Sequence, residues 1–403
     1  MVPGQPIAVK VSTPARGFDL SVALVTATGA RIVYRRTGNA GHDWRSRAVV
    51  DPTTHAVRAR WPTALSVPTD GFTPGIYVIT AKDSNRTLQQ AIVVVRTPVL
   101  DSTKPAFVYD AMTQAAYNRW GGWAFYEPQI ATTVTFDRPL WQNGLGVWTR
   151  ADSRLVPWLL ARWPDLQFTT DEDLSTAAPP SVPETLIFGF HTEYVTAALL
   201  EWVRQQATVG RHMNVAIFGA NSFYWKVRLE PGPTPDSPPD MTCFKLAPAD
   251  DPLAQTAPTG RFRDLGEAEG SVLGAQYSGI VGSGRQRFDT TVTATIPPDL
   301  LTGTGWRAGT VLHGLVFGEG DATFAGSGSI VIAATSGVRS PYGTPIRVEM
   351  SVRPEPGLGR IFDAGTFAFA DGLSPARVSV GVAPGSFDRF ADNILTWLDV
   401  SAH

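Results

Sequence analysis

Cysteine is nearly absent from this chain. Cys243 stands alone, which excludes an intramolecular disulfide and any cysteine-rich zinc site. It lies in Met241-Thr-Cys-Phe-Lys245, after a proline-rich loop from Pro231 to Pro239 and with no glycine elbow, so a structural thiol is expected rather than a nucleophile. Lysine is also scarce: Lys10, Lys82, Lys104, Lys226 and Lys245 are the only lysines among 34 basic residues. The formal net charge of −2 offers no electrostatic attraction to DNA, RNA or anionic lipid. No run of about 18 apolar residues exists, so no membrane span is expected. The opening Met1-Val-Pro-Gly-Gln-Pro6 runs straight into the β-like Ile7–Val11 with no signal-peptide pattern, making the cytoplasm the expected location.

What is present is apolar and mixed in texture. With 403 residues, 43% hydrophobic and 17% charged, the chain exceeds one ordinary core. Residues 1–98 read as short strands (Ile7–Val11, Leu20–Val25, Arg31–Tyr34, Val57–Trp61, Ile76–Thr80 and Ala91–Val95) separated by turns, the pattern of an immunoglobulin-like β-sandwich. The linker Thr97–Pro105 leads into residues 104–403, where strands alternate with helices: Ala106–Asp110, the helix Asp152–Trp163, Leu166–Thr169, Thr185–Phe190, a helix over Tyr194–Gln206, and Asn214–Phe218. That alternation predicts an α/β domain on a parallel sheet. A β-rich, glycine-rich insertion is expected over about 287–353, followed by a strand at Arg360–Ala370 and an apolar-faced helix carrying Phe387, Phe390, Ile394, Leu395 and Leu398.

Ligands of open α/β sheets bind beyond the carboxyl ends of the strands. Two strands end in polar text: Gly189-Phe190-His191-Thr192-Glu193-Tyr194, and Gly219-Ala-Asn221-Ser-Phe-Tyr224-Trp225. If they are neighbours, His191, Glu193 and Asn221 face one crevice, with Phe190, Tyr224 and Trp225 as apolar walls. Thr192 reads as an N-cap, which sets Glu193 in a first helical turn where the dipole favours a carboxylate. A carboxylate beside an imidazole suits metal ligation or general-base work; dipole complementation by Glu193 and a backbone bond from His191 are the plain alternative. After the first α/β strand come Tyr117, Asn118, Trp120, Gly121, Gly122 and Tyr126, at the same rim. Ordinary packing explains each aromatic singly, and less well all of them together. Asp171–Asp173 reads as a solvated acidic turn, and Glu267 and Glu269 with Arg261 and Arg263 as a surface charge cluster.

The ordered set Gln114–Gly122, Thr135-Phe-Asp-Arg-Pro139, His191–Tyr194, Gly219–Trp225, Glu269–Gly274 and Gly359–Gly365 resembles the large (beta) subunit family of N,N-dimethylformamidase over most of residues 100–400. The resemblance implies a class I glutamine-amidotransferase-like, flavodoxin-like α/β fold without its cysteine nucleophile. It implies a mononuclear Fe³⁺ held by two tyrosines and a glutamate, hydrolysing small N-alkyl amides, with a small partner subunit. Carried over, Glu193 and Tyr117 are metal ligands, His191 stands beside them, Asn221 orients substrate or water, and Trp120, Phe190, Tyr224 and Trp225 line the substrate. The second phenolate is looked for near Arg138-Pro139, where Leu140 stands, so Tyr126 is the substitute. Three readings follow: a metal-dependent amidohydrolase, a non-catalytic binding protein with a degenerate metal site, or a metal-free enzyme using His191 and Glu193. A homo-oligomer is equally open.

Overall fold

The computed structural model describes residues 1–403 except 147–150, 178, 180, 210–212, 235–236, 355–357, 375–379 and 399–403. Its centre is a ten-stranded mixed sheet. One half is parallel: Gln167–Thr170, Ala106–Tyr109, Thr185–Phe188, Asn214–Ile217 and Ile361–Asp363 lie side by side in that order. Numbered along the chain, that order is second, first, third, fourth, fifth.

The first four of these strands are buried along their whole length, as apolar text such as Leu186-Ile-Phe188 requires of strands covered on both faces. Side chains alternate between two cores. Phe107, Ile187, Ala216 and Phe362 pack with the helices Asp152–Arg162 and Ser386–Trp397. Val108, Leu186, Phe188, Val215 and Ile217 pack on the opposite face, with the helices Ala111–Tyr117, Asp171–Thr176 and Ala197–Arg204.

Between the fourth and fifth parallel strands the chain adds five antiparallel strands to the same sheet. They are Ala275–Val281, Arg287–Val292, Val311–Thr323, Ile330–Thr335 and Val348–Arg353, joined to the parallel half through Val348–Arg353 beside Ile361–Asp363. The expected strand at Arg360–Ala370 is much shorter. Gly365 takes a φ of +62° and Phe369–Gly372 is helical, so extension stops at Asp363.

The N-terminal strands form a four-stranded sheet (Gly29–Ala40, Gly17–Thr26, Gly75–Asp83, Leu88–Val95) and a two-stranded pair (Ile7–Lys10 with Thr63–Val67). Phe18, Leu20, Val22, Tyr77 and Ile79 from the first share one core with Ile7, Val9, Leu65 and Val67 from the second. Val25, Ile76 and Val94 belong instead to the core around Trp158 and Phe168, so the N-terminal strands are packed onto the α/β part. A further small sheet joins Tyr194–Thr196, Trp225–Glu230, Asp240–Thr242 and Thr133–Thr135 over the strand ends.

Candidate active site

Three chain segments meet beyond the carboxyl ends of the parallel strands. The strand Ala106–Tyr109 runs into the helix Ala111–Tyr117, which ends on Tyr117. From that helix Thr113 Oγ1 accepts the backbone N–H of Glu193 at 3.0 Å and of Tyr194 at 3.2 Å, fixing the segment after Thr185–Phe188. The segment after Asn214–Ile217 folds back on it, with Phe223 N–H donating to the Thr192 carbonyl at 2.7 Å. Gly219 permits this approach: a Cβ there would lie 2.0 Å from the Phe190 carbonyl oxygen.

Glu193 is 3% exposed and collects two phenols. Tyr117 donates to Oε2 at 2.7 Å, and Tyr126 lies 2.9 Å from both carboxylate oxygens. The two rings stack with centroids 4.2 Å apart. Tyr194 donates to the Tyr126 hydroxyl at 2.7 Å, and Lys245 Nζ to the Tyr194 hydroxyl at 2.6 Å. The same ammonium sits 3.6 Å over the Tyr126 ring and 4.5 Å over Trp225. Donors therefore run in one direction, from Lys245 through two tyrosines onto the carboxylate.

Burial raises the pKa of Tyr117, Tyr126 and Tyr194, and the negative charge of Glu193 adds to it, so the phenols are neutral donors in the metal-free protein. Burial also raises the Glu193 carboxyl, against the pull of His191 and Lys245, and lowers the Lys245 ammonium.

The other side of the site comes from the antiparallel half. His191 Nε2 is 3.4 Å from Glu193 Oε2, from Glu319 Oε2 and from Asn221 Nδ2, longer than a good hydrogen bond in each case. Asn221 Nδ2 donates to Glu319 Oε2 at 2.7 Å. Asn221 Oδ1, Ser222 Oγ and Thr192 Oγ1 are buried with no hydrogen-bond partner among the described residues.

His191, Glu193, Asn221, Tyr117 and Tyr126 are thus brought together. Glu193, however, is not in a first helical turn. Tyr194–Thr196 pairs as a strand with Trp225–Val227, and the helix starts at Ala197 behind Thr196, whose Oγ1 accepts from Leu199 N–H at 3.2 Å. The dipole argument for its charge therefore falls, and burial governs it instead. Leu140 is half-buried beside Trp141, whose N–H donates to Asn118 Oδ1 at 3.2 Å. The preceding Arg138 holds the aromatic loop, donating to the carbonyls of Trp123 at 2.7 Å and Trp120 at 3.1 Å.

The expected lining residues divide. Phe190 packs on Phe367 with centroids 4.2 Å apart, and Trp225 faces Lys245. Tyr224 lies edge-on to Tyr277 at 4.9 Å. Trp120 instead meets Trp61 of the N-terminal part at 5.5 Å, alongside a second contact in which His55 stacks on Trp123 at 3.8 Å.

Two further expectations are corrected. Asp171 is fully buried, accepting from Met112 N–H at 3.1 Å, and is no solvated turn. Glu269 is fully buried against Arg263, while Glu267 pairs with Lys226 at 2.8 Å. Sequence reasoning missed Glu319, Tyr277 and Lys245. The usable signal for Glu319 is two carboxylates, Glu319 and Asp321, spaced two apart near the end of one long strand.

Among the described residues, His, Cys, Asp and Glu form no group of three or more able to hold a metal. A metal here must draw on phenols. The two tyrosine oxygens and the Glu193 carboxylate form a set of hard oxygen donors, which fits a small, highly charged cation. No described helix is long and apolar enough to cross a membrane.

The family profile described as "N,N-dimethylformamidase beta subunit-like, C-terminal" matches residues 25–381, from within the N-terminal sheet to beyond the last strand of the central one. No curated protein matches the chain.

Proposed function

Because the chain belongs to the N,N-dimethylformamidase beta subunit-like family, we propose that it is a hydrolase of the C–N bond of a small amide and that Tyr117, Tyr126 and Glu193 hold one Fe³⁺. The observation that carries this reading is the convergence of two phenols on both oxygens of one buried carboxylate. A ferric ion held there supplies a Lewis acid for the amide carbonyl and acidifies a bound water.

The remaining work falls to the chain's own groups. Glu319 is half-buried and is hydrogen-bonded to Asn221, and its carboxylate takes the proton from the attacking water and returns it to the departing amine. His191, with Nε2 3.4 Å from a carboxylate oxygen of both Glu193 and Glu319, orients the reacting group. The unpartnered Asn221 Oδ1 is an acceptor for a substrate or water hydrogen. Phe190, Phe367 and Trp225 limit water around these groups.

The strand order of the parallel half supports the flavodoxin-like, glutamine-amidotransferase-like reading of this fold, with a division at the Thr97–Pro105 linker. The beta-subunit-like description supports a partner subunit.

A metal-free enzyme is the second reading, favoured by one observation: with phenols protonated, both oxygens of the Glu193 carboxylate already lie within hydrogen-bond distance of a phenol donor. Purified protein, before and after ferric reconstitution, separates the two. Bound iron at about one per chain, tyrosinate colour, and hydrolysis of N,N-dimethylformamide or related amides that depends on the iron are expected. A colourless, iron-free protein after reconstitution removes the ferric reading. Metal-independent turnover lost in Glu193→Gln establishes the second.

A further inference from the structure

We propose that Asp321 is a positioning residue that locks Asn221 into the one backbone geometry from which its side chain reaches Glu319. The proposal rests on the reading of Asn221 and Glu319 as site residues given above. Asn221 has a φ of +55°, in the left-handed region that few residues other than glycine, asparagine and aspartate adopt. The anchor comes from across the sheet: the Asn221 N–H donates to both oxygens of Asp321, at 2.8 and 3.0 Å. Asp321 is 1% exposed.

Two positions earlier on the same strand, Glu319 Oε2 receives the Asn221 side-chain amide at 2.7 Å. Alternate residues of a strand project to the same face. One strand therefore grips one residue twice, backbone by Asp321 and side chain by Glu319.

Asp321 is itself fixed. Its N–H donates to the Gly365 carbonyl at 3.1 Å, and the Gly365 N–H donates to Asp363 Oδ1 at 2.6 Å. Gly365 has a φ of +62°, and a Cβ there would fall 2.1 Å from the Glu349 carbonyl oxygen. The Asp363-Ala-Gly365 text at the end of the last parallel strand thus acts as the footing for Asp321. Without the carboxylate, Asn221 is free to return to a right-handed or extended conformation, swinging its amide off Glu319. An error of about 1 Å in such a site costs on the order of a hundredfold in rate.

The test compares wild type with Asp321→Ala and Asp321→Asn. Crystal structures of the Ala variant should have Asn221 out of the left-handed region and the Glu319 contact broken. With N,N-dimethylformamide as probe, kcat should fall at least about tenfold while KM moves less than about threefold, and Asp321→Asn, which keeps an acceptor, should recover most of kcat. An Ala variant with Asn221 unmoved overturns the proposal, as does equal loss of kcat in both variants.

Should the Ala variant fail to fold, hydrogen exchange at the Asn221 amide decides. At pH 8, above the value of about 7 to which burial lifts the Asp321 carboxyl, it should be protected in wild type and exchange about tenfold faster in Asp321→Asn, where the acceptor has no charge. Equal rates overturn the assignment. Absence of turnover in wild type refutes the amidohydrolase reading, while the crystallographic and exchange comparisons still decide the role of Asp321.

Discussion

Tyr126 stands nine residues after Tyr117 and donates to the same carboxylate, lying 2.9 Å from each oxygen of Glu193. In the ferric reading it is the substitute for the tyrosine looked for near Arg138-Pro139. Removing either phenol should therefore weaken iron binding by a similar amount. Tyr117→Phe and Tyr126→Phe are each expected to lose at least about a hundredfold in ferric affinity, more than the loss typical of a residue merely supporting a ligand. Leu140→Ala should bind iron like wild type. Iron titration followed by the tyrosinate charge-transfer band measures all three, and an undiminished band in Tyr126→Phe would falsify its assignment.

Arg138 makes the Tyr126 loop what it is. Its guanidinium, buried enough that its pKa falls to about 10, satisfies the carbonyls of Trp120 and Trp123. Arg138→Ala leaves those oxygens unsatisfied and is expected to cost roughly 3 kcal/mol of stability. Denaturant unfolding checks this, and a loss below about 1 kcal/mol contradicts the account.

Asp152 gives the molecule a predictable pH response. Burial pushes its carboxyl from 3.8 up to about 7, while the Phe190 N–H, 2.8 Å from Oδ1, pulls the other way. The folded state thus holds a proton that the unfolded chain has released. Stability from this group is complete below pH 4, and falls as pH rises through about 7. Asp152→Asn keeps the acceptor for Phe190 and cannot ionise. It should be more stable than wild type at pH 8, by on the order of 2–4 kcal/mol, with the advantage shrinking by pH 5. Asp110, whose carboxyl is raised by burial and by Asp152, retains its own pH dependence in that variant. Urea melts at the two pH values make the comparison, and a constant difference refutes it.

Cys243 should be inert. It is 1% exposed, and burial pushes its thiol up to about 12. A thiol reagent at pH 8 should label denatured but not native protein. Rapid native labelling would contradict that, as would a loss of activity in Cys243→Ala.

The sequence carried the central strands plainly, and the physical reason is their burial. Leu186-Ile-Phe188 and Val215-Ala-Ile217 are apolar on both faces and short, as strands between two helical layers must be. The polar set at their ends was legible for the same reason: polar residues directly after such strands stand out. Glu193 was placed correctly in space and wrongly in secondary structure. Thr192 reads as the N-cap, but the pairing of Tyr194 with Trp225 in the small sheet delays the helix to Ala197, behind Thr196. Local preference loses there to a tertiary partner.

Glu319 and Asp321 stand two apart on one strand, but nothing local ties them to a site, because the partner of Glu319 is Asn221, 98 residues away across a hairpin-rich stretch. The sequence of the N-terminal strands points to no chemistry of their own, as for a spacer, a lid or a binding surface. His55 and Trp61 nevertheless contact Trp123 and Trp120, in the loop that carries Tyr126.

The uninterrupted central sheet has a consequence for how the protein comes into being. One wall of the candidate site is synthesised before residue 222 and the other at residues 319–321, and in the fold they are linked through Ile361–Asp363, which pairs with Asn214–Ile217 on one side and with the antiparallel strands on the other. Contacts so distant along the chain form late, because the intervening loop must close before they offer any return. A nascent chain that has reached only residue 300 owns His191, Glu193 and both tyrosines, yet lacks Glu319 and Asp321.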